Sequence, residues 1–122
     1  MMTSLELNMK LQASFPEIIS VYREETSWQD GDETGSHVVY ADVFVPFIKD
    51  QISQGNELCL TRIFDYIESL LVSEDLYANE VLSLSVLESL VCDEEIDSRL
   101  LLRFAKERTI QVVQEILQNM AR

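Results

Sequence analysis

Three glycines and two prolines are the only backbone breakers in 122 residues, and alternating runs rich in Val, Ile and Thr are scarce. A chain so short of turn and strand signals is read most economically as helices joined by tight turns. The expectation is an all-α fold, a single domain over residues 1–122, built as a bundle of about six to seven helices.

Local signals place those helices. A first covers about Ser4–Ala13, with Leu5, Met9 and Gln12 on one face, and Pro16 starts a second that runs through Glu24, because proline is tolerated in a helix's first turn. Residues Thr26–Ser36 are polar, hold two of the three glycines and form the clearest loop. The run from His37 to Val45 could be a strand on propensity, but a helix to about Gln54, kinked or restarted near Pro46, is preferred. Gly55-Asn56 stops that helix and caps the next, which spans Glu57–Val72 with Leu60, Ile63, Phe64, Ile67, Leu70 and Leu71 on one face. Beyond the acidic turn Ser73-Glu74-Asp75, a helix over Leu76–Val91 carries Val81, Leu84, Leu87, Leu90 and Val91. Asp93–Asp97 is a second acidic turn, followed by Ser98–Phe104 and a last helix near Lys106–Met120. Ile67–Leu71 and Leu87–Val91 echo each other at an offset of 20 residues, either as an α-solenoid-like stacked hairpin or as coincidence in a Leu-, Glu- and Ser-rich chain.

Charge speaks next. The net charge is −13, and residues 57–97 contribute −10 of it, with eleven acids against Arg62 alone. Residues 98–122, with Arg99, Arg103, Lys106, Arg108 and Arg122, reverse the sign to +3. Such a field repels nucleic acid and anionic membrane and attracts a basic protein surface. Acidity also secures solubility, so charge alone names no partner. No apolar run approaches the roughly 20 residues of a membrane span, and no secretion signal opens the chain, so a cytoplasmic address is expected. Cys59 and Cys92, on apolar stretches, read as small buried hydrophobes.

The search for chemistry is short. His37 is the only histidine, so no histidine pair can bind a metal, and no nucleophile motif adjoins it. Asp30-Gly31-Asp32-Glu33 opens like a calcium loop, yet the twelfth position is Ala41 rather than Glu. No phosphate loop, nucleophile elbow or nucleotide fingerprint occurs. Neither an enzyme nor a bound cofactor or metal is expected. The cluster Arg99, Arg103, Lys106 and Arg108 is read as complementing helix ends and acidic turns rather than as a nucleic-acid stripe. Trp28, Tyr22, Tyr40 and Tyr77 stand beside loops or acidic turns, where large amphipathic rings serve recognition. Trp28 is either an interface anchor or a lid folded over the core.

The run Phe64-Asp65-Tyr66-Ile67-Glu68-Ser69-Leu70-Leu71, with Asn79-Glu80-Val81, Ser85-Val86-Leu87-Glu88-Ser89-Leu90, Phe15-Pro16-Glu17 and Phe104-Ala105-Lys106-Glu107-Arg108-Thr109, resembles small all-helical bacterial immunity proteins found beside polymorphic and contact-dependent toxins. The resemblance implies a cytosolic protein that binds a cognate toxin domain, commonly a nuclease. It points to no particular contact residues. From the residues themselves, the candidate partner-binding positions are Glu74, Asp75, Glu80, Asp93, Glu94, Glu95 and Asp97 at the two acidic turns, with Trp28, Asp30, Asp32 and Glu33 in the 26–36 loop as a second surface. The turns form one patch only if the topology brings them to one end of the stack. The alternative function is a helical adaptor or chaperone-like module that holds an endogenous protein in an apolar groove.

Overall fold

The computed structural model describes residues 1–121; Arg122, counted in the charge above, lies outside them. Seven helices follow one another: α1 Ser4–Ser14, α2 Ile19–Thr26 after a 3-10 turn at Pro16–Ile18, α3 over 36–54, α4 Glu57–Val72, α5 over 76–91, α6 Ser98–Phe104 and α7 Glu107–Met120. The described residues contain no strand, so the valine-rich start of α3 resolves as helix. Tertiary burial decides this: Val39 and Val43 both face the core.

Two of the helices are not uniformly α. In α3 the segment Tyr40–Phe44 is π-helical, and in α5 the segment Val81–Leu87 is π-helical. Along α5, Ala78, Leu82, Val86 and Leu90 are buried together with Val81, Leu87 and Val91, and along α3, Ser36, Tyr40, Phe44 and Ile48 are buried together with Val39, Val43, Val45 and Gln51. A π turn is wider than an α turn and so shifts the register of the side chains that follow it. The two π segments pack on each other. The same shift corrects the expectation for Leu84, which a 3.6-residue period turns inward but which is exposed, its place taken by Leu82 and Val86.

Pro46 sits just past the first π segment, at the start of the α-helical stretch Val45–Gln54. The expected restart is therefore a change of helical type rather than a break. A widened preceding turn eases the clash between the pyrrolidine ring and the carbonyl four residues back.

The core gathers around the aromatic group of Phe15, Tyr40, Phe44 and Tyr66, with Phe15 5.4 Å from Phe44 and 5.3 Å from Tyr66, ring centre to ring centre. Tyr40 is fully buried because its hydroxyl has partners there: it donates to the Leu7 carbonyl at 2.8 Å and pairs with the Tyr66 hydroxyl at 2.7 Å. Burial pushes both phenols well above their ordinary range. On α1 the inward residues are Leu7, Asn8 and Leu11, and the face that carries Leu5 and Met9 is exposed. Cys59 is buried as expected, but Cys92 at the end of α5 is exposed, and both are free thiols.

Four of the described helices carry a side-chain N-cap. Thr3 and Glu6 form a reciprocal capping box on α1, Asn56 caps α4, Asp75 caps α5 and Asp97 caps α6. Helix α7 has no cap of its own. Its first N–H groups are taken by Glu68 of α4, whose carboxylate accepts from Arg108 N at 3.1 Å and from Thr109 N and Thr109 Oγ1, both at 2.9 Å. Desolvation works to raise the Glu68 carboxyl, but the two backbone N–H groups and the Thr109 hydroxyl outweigh it and hold the group below its ordinary 4.5. A lowered carboxylate contributes stability above its unfolded value and loses it as pH falls through the folded one. Glu68→Ala should thus cost about 1–2 kcal/mol at neutral pH, the worth of a lost helix cap, in urea unfolding. The difference between wild type and variant should shrink below pH 4; an equal cost at acid pH would remove the carboxylate from the explanation.

Candidate functional site

The two acidic turns do not form one patch. Glu74, Asp75 and Glu80 lie at the start of α5, and Asp93, Glu94, Glu95 and Asp97 beyond its end. The helix between them separates the groups by roughly 20 Å at its rise per residue. Several of these acids already have structural partners. Asp75 accepts from Ala78 N at 2.9 Å and Met2 N at 2.7 Å. Asp93 pairs with Lys49 at 2.7 Å and also accepts from Glu95 N. Asp97 pairs with Arg99 at 2.8 Å. The Ala78 and Met2 N–H groups, the Lys49 ammonium and the Arg99 guanidinium hold the three carboxyls below the ordinary carboxylate range. Glu80 lies 3.9 Å from His37, and Glu94 and Glu95 are exposed at the second turn. Glu74 ends α4 at φ 60, a left-handed conformation that costs a side chain with a Cβ about 1 kcal/mol.

Two of the C-terminal bases pair with acids of α4. Arg103 pairs with Glu57 at 2.9 Å and Lys106 with Asp65 at 2.7 Å. Exposed pairs of this kind add little stability, but each cancels an acid on its own stretch of surface.

The 26–35 loop is arranged differently. Trp28 is 74% exposed, so it is no lid over the core. Underneath, the loop is pinned by buried polar groups. The fully buried Asn8 of α1 donates to the Asp32 carbonyl at 3.0 Å and the Thr34 carbonyl at 2.7 Å, and accepts from Ser36 Oγ at 2.9 Å. Asp30 N donates to Thr34 Oγ1 at 3.2 Å, and Gly31 supplies a φ of 58 that a side chain would resist. Tyr22, expected to stand at the surface with Trp28, is instead buried, as is Tyr40. The Tyr22 hydroxyl donates to Asp32 Oδ1 at 2.7 Å, and burial first and that carboxylate second push the phenol above its ordinary range. Tyr77 is half-buried, its hydroxyl 2.8 Å from Ser4 Oγ. Of the four rings, Trp28 alone is presented to solvent, on a loop whose backbone is fixed from below. Asp30 and Glu33 flank it, both exposed. From Glu24 to Ile48 there are six acids and no lysine or arginine.

With this geometry in view, the comparisons with known proteins can be placed. The model of a domain family of unknown function, DUF7674, matches residues 9–120. The chain belongs to that family. No curated protein and no solved structure matches it. The matched span of this DUF7674 chain takes in every helix, beginning within α1, and the whole pinned loop.

One constellation escaped the sequence reading. His37 of α3 has Ser85 of α5 beside it, Nδ1 to Oγ 2.6 Å, with Glu80 3.9 Å from Nε2 and the Tyr77 ring edge-on at 5.8 Å. Separation of 48 residues in sequence hid the pairing. The order hydroxyl, imidazole, carboxylate invites comparison with a hydrolytic triad, but Glu80 is beyond hydrogen-bond reach. Ser85 also lies inside a helix, whose backbone N–H groups are spent on helix carbonyls rather than aimed at a reacting oxyanion. The group joins α3 to α5 beside the paired π segments. Among the described residues no three His, Cys, Asp or Glu side chains converge on a point that could hold a metal ion, and no helix is long and apolar enough to cross a membrane.

Asn8→Ala should release the loop and leave two buried carbonyls without their donor, costing about 2–3 kcal/mol in denaturant unfolding. Trp28, the only tryptophan, reports on its surroundings directly. Relative to free N-acetyltryptophanamide, caesium quenching of its fluorescence should be enhanced and iodide quenching reduced, because the acids around it concentrate cations and exclude anions. A caesium-to-iodide ratio equal to that of the free indole would show that the loop carries no net field.

Proposed function

We propose that this protein is a non-catalytic binding protein that captures and neutralises a basic protein partner, acting as the immunity protein of a cognate toxin domain whose active cleft it occludes. The observation that carries the reading is an exposed tryptophan on a rigid acidic loop, in a segment of chain free of lysine and arginine. Interface hot spots are enriched in tryptophan, and a loop already fixed in the free protein loses little entropy on binding. The acidic surroundings would steer a basic partner toward it and raise the association rate. The toxin assignment rests on the sequence resemblance. The acids at the α5 ends are the weaker candidates, because Asp75, Asp93 and Asp97 already serve helix caps and ion pairs.

The test is co-expression with the C-terminal domain encoded by the reading frame immediately upstream, followed by growth assay and pull-down. Rescue of growth with a co-purifying complex is expected. Trp28→Ala should weaken that complex by about 2 kcal/mol, the scale of a hot-spot truncation. Replacing Glu94 and Glu95 by Lys should change the dissociation rate little. Absence of both toxicity and complex would defeat the proposal.

A further inference from the structure

A groove runs between the start of α2 and α3, lined by Ile18, Val21, Val43, Pro46 and Phe47 with Glu17 and Asp50. Val21 is 49% exposed, Pro46 is exposed and Phe47 is half-buried, an apolar strip left open to water. The charges beside it are sorted by helix geometry. At 100° per residue, Glu24 and Glu25 fall on the flank of α2 that Val21 occupies, and Arg23 falls on the opposite flank. On α3, Asp50 falls with Phe47 and Pro46, while Lys49 points the other way, to Asp93. Asp42, one turn before Pro46, is exposed as well. Glu17 is already taken by Arg62, whose guanidinium forks onto it at 2.7 and 3.3 Å. The open acids are therefore Glu24, Asp42 and Asp50, arrayed about apolar side chains.

We infer that this groove is the seat of a cationic amphipathic helix presented by the partner, its apolar face on Val21, Pro46 and Phe47 and its lysines or arginines against Glu24, Asp42 and Asp50. Charge complementarity selects the occupant: an acidic helix, or a second copy of a chain with net charge −13, would bring like charges together. A helix laid in an apolar groove through i, i+3, i+4 and i+7 anchors is a common recognition mode. Trp28 stands in the loop that follows α2, two residues past its last residue Thr26. The inference deepens the binding reading above and rests on it for the identity of the partner, but the groove can be examined alone.

The probe is a synthetic amphipathic helix of leucine and lysine, roughly four turns long, with a scrambled peptide of the same composition as control. Amide shifts of the isotopically labelled full chain should change at 18–25 and 42–50 and at the Trp28 indole. The double variant Val21→Lys, Asp50→Lys should weaken binding about ten-fold or more, the loss of a contact of hot-spot size. Glu94→Lys with Glu95→Lys, a similar charge change at the far turn, should leave affinity within about two-fold, as rim charges do. Shifts scattered over α5 and α7, equal binding of the scrambled peptide, or equal weakening by both double variants would overturn the inference. A toxin complex that needs Trp28 but ignores Val21 and Asp50 would overturn the groove and leave the immunity reading standing.

Discussion

The fold depends on how α3 and α5 meet across the core. Each carries a π segment, and the two segments are in contact. Tyr40 sits at the start of the first of them and places a phenol among Phe15, Phe44 and Tyr66, where its hydroxyl joins α1 through Leu7 and α4 through Tyr66. A buried hydroxyl without those partners would cost free energy comparable to a lost hydrogen bond, so the position of α1 and the pairing of the π segments are coupled. Everything at the surface end of α3, including the pinned loop, inherits its place from that arrangement.

Helix existence and ends were legible because the signals are local. Gly55-Asn56, Ser73-Glu74-Asp75 and Asp93–Asp97 punctuate the chain where the structure has its turns, and α4 spans Glu57–Val72 as its periodicity predicts. Which face goes inward was less legible wherever the pattern was not a simple 3.6-residue one. Leu84 was misplaced because the π segment shifts the register of α5, and on α1 the inward stripe runs through the polar Asn8 rather than through the face of Leu5 and Met9. The echo between Ile67–Leu71 and Leu87–Val91 marks a shared burial pattern rather than a shared role. Glu68 caps α7, whereas Glu88 is exposed, and α4 lacks the π segment of α5.

The candidate site was half legible. A polar, glycine-bearing loop with a lone tryptophan stands out in one dimension, but whether the ring faces solvent or core is a tertiary fact. The answer lies in side chains far away in sequence. Asn8 of α1 holds the loop backbone and is itself held by the Ser36 hydroxyl of α3, while Tyr22 of α2 holds the Asp32 carboxylate, with bonds spanning 10 to 28 residues. Because those groups satisfy the loop from beneath, no large apolar side chain is needed to anchor it, and Trp28 remains free at the surface. His37 and Ser85 were hidden by the same kind of distance, one on α3 and the other on α5.

Charge counting over a segment also gave the wrong emphasis. Residues 57–97 hold the largest acidic excess in the sequence, yet Glu57, Asp65, Glu68, Asp75, Asp93 and Asp97 each hold a base or a helix end. An acid engaged with a nearby cation presents a dipole to a distant partner, and its field decays faster than that of a lone charge. The smaller excess between Glu24 and Ile48 has no lysine or arginine within it to cancel it. Arg23 lies on the far flank of α2, and Lys49 is drawn to Asp93. The effective acidic face is thus set by where the bases are spent rather than by where the acids are most numerous. That leaves an acidic field with no ion-paired base beside Trp28 and the α2–α3 groove, where apolar surface is also open.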